Sequence, residues 1–150
     1  MSPHLLSALR LVHFLGMGLW FFAAMSAPGD VRKTLALGKP HTDLLTGRVG
    51  RAVSIGLVGG LLTIASGLAM IFAYGGFGQV RPTIHAGLSL SFVALALELA
   101  MLRPAIAKLG EALASGEGRE LRALGGRVGM LVGIGHLLKL VVLLLMVLRF

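Results

Sequence analysis

Four apolar runs, each long enough to cross the ~30 Å hydrocarbon core of a bilayer, constrain this chain more than any other feature. They lie at about residues 5–27, 51–74, 82–102 and 128–148. Inside lipid every backbone N–H and C=O must find its partner within the span, so each run has to be helical. The expected fold is all-α, a four-transmembrane-helix bundle forming a single integral membrane domain over residues 1–150. Composition agrees. Only 13% of residues are charged, well below the roughly 25% of a soluble domain.

Turn residues set the expected limits. Pro28-Gly29 closes the first run and Gly75-Gly76 the second. Pro82 opens the third, since proline is favoured in a first helical turn, and Arg103-Pro104 closes it. Residues 106–113 read as a short surface helix. The small residues Ala23, Ala24, Ser26 and Ala27 resemble a signal cleavage site, but cutting there would remove the first span. It is read as uncleaved.

The formal charge is +8, and its placement matters more than its size. Arg32, Lys33, Lys39 and Arg48 fall between the first and second spans. Arg103, Lys108, Arg119, Arg122 and Arg127 fall between the third and fourth. The positive-inside rule then puts both long loops in the cytoplasm and both termini outside, in a bacterial-type inner membrane. Charges gathered at bilayer boundaries serve orientation and anionic lipid contact, and they argue against a nucleic-acid partner. The chain has no cysteine, which excludes disulfides, iron–sulfur clusters and covalent c-type haem. No phosphate-binding loop, nucleophile elbow or His-Glu-x-x-His motif occurs.

Gly47-Arg48-Val49-Gly50 and Gly126-Arg127-Val128-Gly129 form a short repeat, consistent with two helical hairpins in the same orientation. Gly56-x-x-x-Gly60 and Gly129-x-x-x-Gly133 have the small-residue spacing of close helix contacts. Gly16 and Gly18 flank His13, where they serve helix packing or leave room for a flat macrocycle.

Ionisable residues inside the runs are the functional candidates, because burying them in lipid is costly unless something binds them. His13 lies about 4–5 Å below Arg10, and His85 about 6 Å below Arg81, at 1.5 Å per residue. The two imidazoles therefore have similar depth near the outer face. They are the expected metal ligands, an axial pair for haem b, with Arg10 and Arg81 placed to meet its propionates. The competing expectation is that each histidine simply hydrogen-bonds a neighbouring helix. Trp20, seven residues after His13, either lines a porphyrin or quinone pocket or anchors the interface. Glu98, His136 and Lys139 sit deeper. Glu98 is expected to pair with Lys139 or His136, as an ion pair or a proton relay, with His136 as a further haem-ligand candidate.

Leu11-Val12-His13-Phe14-Leu15 with Trp20, Arg48 and Arg51 opening the second span, Ser66-Gly67-Leu68 near its end, and Thr83-Ile84-His85 opening the third together resemble a superfamily. It holds the HemJ-type protoporphyrinogen oxidases and the CopD-like small membrane proteins. The resemblance implies b-type haem bound through His13. Those enzymes typically carry lysine where this chain has His85, which argues for a bis-histidine haem over oxidase activity. The expected function is electron transfer with a quinol or porphyrinogen in the bilayer. The alternatives are a HemJ-like oxidase, and a haem-free proton-coupled transporter or accessory subunit. A homo-oligomer or a membrane redox partner is compatible with each.

Overall fold

A computed structural model describes residues 2–116 and 118–147. Among them the chain is all-helical, with four helical stretches long and apolar enough to cross a membrane: Pro3–Leu37, His41–Ala73, Pro82–Ser115 and Glu120–Val147. The helices are α1 (Pro3–Phe22), α2 (Ala27–Leu37), α3 (Leu45–Ala73), α4 (Pro82–Leu97), α5 (Arg103–Ser115) and α6 (Gly118–Val147). The expected end of the last run, at residue 148, lies outside the described residues.

The helices of the second and fourth spans begin earlier than expected, at Leu45 and Gly118, and three further boundaries differ, each for a local reason. The first span breaks at residues 23–26, and Pro28-Gly29 opens α2 instead of closing α1. Proline is at home there because a first-turn N–H has no intrahelical partner to lose. Arg103-Pro104 does not end the third span either. A π-turn, Glu98–Leu102, joins α4 to α5, and the Arg103 N–H bonds back to the Glu98 carbonyl. Widening the helix by one residue absorbs the proline that follows. The segment expected as a surface helix is the middle of α5, whose Ala105, Ile106, Leu109 and Ala112 are buried.

α1 packs along α3, and α4 along α6. The α1–α3 crossing is set by glycines. A Cβ at Gly59 would lie 2.5 Å from Trp20 N and 2.6 Å from Gly16 O, while Gly60 faces the Trp20 indole at 2.9 Å. Gly56 is looser, at 3.8 Å from Ala23 Cβ, and Gly133 has nothing within 4 Å. Of the two expected glycine pairs, only the α3 one reaches a close contact, through Gly60, and the tightest approach is at Gly59, outside the spacing pattern.

The apolar core gathers at the basic end, where Val31, Leu45, Val49, Leu109, Val128 and Leu131 pack together. Arg48 holds α2 against α3 there through Asp30, at 3.0 Å. Towards the other end the interior turns polar, with Thr63, Ser66, Ser91, Glu98 and Lys139 all buried. Large apolar side chains such as Leu11, Phe14, Leu61 and Leu137 face outward, as they must where the surroundings are acyl chains.

Candidate functional site

The polar interior is organised on Trp20. This side chain is 2% exposed and lies in the bundle core, not at an interface. α1 turns it inward, and the missing side chain of Gly60 gives its ring a place on α3. Its indole N–H donates to Glu98 Oε2 at 3.1 Å. Glu98 opens the π-turn and is 5% exposed. Its other carboxylate oxygen takes the ammonium of Lys139 on α6. That ammonium also donates to the Trp20 carbonyl at 2.9 Å and lies 5.3 Å from the centre of the indole ring. Three helices thus meet in one fully partnered cluster of acid, base and indole. A buried charge is tolerable only when paired and hydrogen-bonded in this way.

His136, one turn before Lys139 on α6, does not pair with Glu98. Its Nδ1 lies 2.8 Å from the Val132 carbonyl and its Nε2 2.8 Å from the Phe21 carbonyl. The Phe21 ring meets it edge-on at 5.6 Å. Carbonyls only accept, so both bonds exist together only when both ring nitrogens carry protons.

His13 is half-buried between α1 and α3. Its Nδ1–H donates to the Thr63 carbonyl at 2.9 Å, with Ser66 Oγ at 3.2 Å. Gly67 leaves room for the ring, since a Cβ there would sit 3.3 Å from His13 Cε1. Ser66 and Gly67, quoted above for the superfamily resemblance, are therefore neighbours of His13. His13 lines one cavity of about 10 Å³ together with Trp20 and Lys139. It lines a second, of about 30 Å³, with Thr63 and Ser91. Each has room for about a water or two.

His85 lies elsewhere. It is exposed, its Nε2 donates to the Phe77 carbonyl at 3.1 Å, and its ring leans on Phe77. It lines neither of the cavities that His13 lines. The rings of His13 and His85 thus share no hydrogen-bond partner and no cavity wall. Helix α1 pairs with α3 and α4 with α6, so the two imidazoles have different neighbours. Arg10 bonds the Tyr74 hydroxyl, and Arg81 lines an outer groove with Tyr74 and Gln79. Among the described residues no group of three or more His, Asp or Glu side chains could hold a metal ion.

The sequence pointed to Glu98, Lys139 and His136 but not to Thr63, the residue that fixes His13. The contact is to the Thr63 backbone carbonyl, which every residue type carries, so side-chain identity gave no signal for it. Comparison of the chain with protein-family models, with curated proteins and with solved structures finds no match in any of the three.

Proposed function

We propose that the protein passes protons across the bilayer, with the Glu98–Lys139 pair as its working centre and a transported substrate or a larger complex as the beneficiary. What carries this is the order of protonatable side chains along α1 and α6: His13, then Lys139 with Glu98, then His136. His13 and Lys139 line the same water-sized cavity. His136 is the next turn of α6. Its ring bridges the Val132 carbonyl of α6 and the Phe21 carbonyl of α1, so it stands between the two helices. Ionisable groups within a span are expensive, and proton paths are a main reason they occur. With the basic loops in the cytoplasm of a bacterial-type inner membrane, His13 stands on the outer side of the pair and His136 on the inner.

The test is proton entry into liposomes carrying a trapped pH-sensitive dye. The wild-type protein should dissipate an imposed pH gradient faster than empty liposomes do. The Glu98→Gln/Lys139→Met double variant should lose that flux, while His85→Ala keeps it. Wild-type liposomes as tight as empty ones would end the proposal.

A b-type haem protein exchanging electrons with a quinol or porphyrinogen, or a HemJ-like oxidase, is the alternative, and one observation favours it. The Nδ1–H of His13 is held by a backbone carbonyl, the way an iron-ligating imidazole is oriented, which leaves Nε2 as the ligand atom. A reduced-minus-oxidised spectrum decides: b-type bands lost in His13→Ala support haem, and colourless protein from haem-replete cells rejects it.

A further inference from the structure

At the basic end, far along α6 from the Glu98 centre, α2 crosses α6 and leaves a cleft of about 960 Å³. The crossing is tight on one side. A Cβ at Gly125 would lie 2.6 Å from Leu35 Cδ1 and 3.1 Å from Val31 Cγ1. One residue on, the space opens, and a Cβ at Gly126 would meet nothing within 4 Å. Arg32 of α2 and Arg122 of α6 both line the cleft, and both are exposed. No carboxylate is among the lining residues. Neither arginine makes an ion pair among the described residues, whereas Arg48 nearby is already bound to Asp30. Between them the walls are apolar, made by Pro28, Leu35 and Ala36.

Two guanidiniums with no counter-ion among the described residues, beside an apolar trough, ask for a ligand that is anionic at one end and greasy at the other. We propose that this cleft binds an anionic phospholipid, with Arg32 and Arg122 taking the phosphate oxygens and an acyl chain lying along Leu35 and Pro28. Arginine suits the role because its planar fork meets two phosphate oxygens at once. Basic pockets between spans at the positively charged membrane face are where such headgroups bind. The bilayer is the source, and not free phosphate, because the apolar wall offers inorganic phosphate nothing.

The experiment is native mass spectrometry of the full chain in detergent, titrated with phosphatidylglycerol or phosphatidylcholine. Wild-type protein should retain phosphatidylglycerol preferentially. Arg32→Gln/Arg122→Gln should weaken that retention by about thirtyfold, at roughly fivefold per arginine. Arg103→Gln/Lys108→Gln removes the same charge from exposed positions of α5 and should bind as wild type does. Gly126→Leu puts a branched side chain into the cleft with no loss of charge, from a position where its Cβ meets nothing within 4 Å, and should also weaken retention of the lipid. Equal loss in the α5 control would mean diffuse attraction and overturn the site. So would equal retention of phosphatidylcholine, unchanged binding by Gly126→Leu, or full displacement of the lipid by millimolar inorganic phosphate.

Discussion

Lys139→Met alone should destabilise the protein by about 3–5 kcal/mol, because it leaves the carboxylate of Glu98 buried without its counter-charge. Glu98 is 5% exposed, so water cannot replace the lost ammonium. The indole N–H of Trp20 remains as its one donor. Glu98→Gln alone should cost a similar amount from the other side, since it strands the ammonium of a lysine that is also 5% exposed. Removing both charges in Glu98→Gln/Lys139→Met should return most of the stability. A neutral amide still accepts from Trp20, and a methionine fills the lysine's volume. Thermal unfolding in detergent, followed by circular dichroism, reads all three variants. The expected pattern is two large losses and a small one. Additive losses in the double variant would show that the two charges do not depend on each other.

Gly59→Ala should be nearly as damaging, although it adds one methyl group. That methyl would lie 2.5 Å from Trp20 N and 2.6 Å from Gly16 O. Both are backbone atoms, so no side-chain rotation relieves the clash and α1 must move away from α3. Overpacking of this kind costs about 1–3 kcal/mol or more. The shift would also carry Trp20 off Glu98 and His13 off Thr63. Gly18→Ala, on the face of α1 where a Cβ meets nothing within 4 Å, is the matched control. There the gain in helix propensity, up to about 1 kcal/mol, should show unopposed. Melting temperatures of the two variants should therefore move in opposite directions. Equal melting temperatures would mean that the helices are not in backbone contact at Gly59.

The sequence by itself determined the number of spans, since apolar runs of that length with so few charges have one stable form in lipid. It also determined that Glu98 and Lys139 could not stand alone, because a lone charge in that medium is prohibitive. Their pairing was legible from similar depth and opposite sign. Depth, however, is one coordinate of three. It set His13 and His85 at one level without saying which helices are neighbours, and pairing α1 with α3 and α4 with α6 gave the two imidazoles different surroundings. Trp20 was ambiguous for a similar reason. Its distance along α1 suits an interface, and only the bare backbone of Gly60 opposite explains why the ring lies inside.

Tertiary structure also decided element limits, twice at a proline. Pro28 and Pro104 are helix breakers when read locally, yet here one begins a helix and the other follows a π-turn that makes room for it. The repeated glycine spacing on α3 pointed to the correct helix face but not to Gly59, whose part depends on where Gly16 of α1 arrives. Helix existence follows from the solvent, which acts on each segment separately. Contacts follow from which faces meet, and that is a property of all the helices at once.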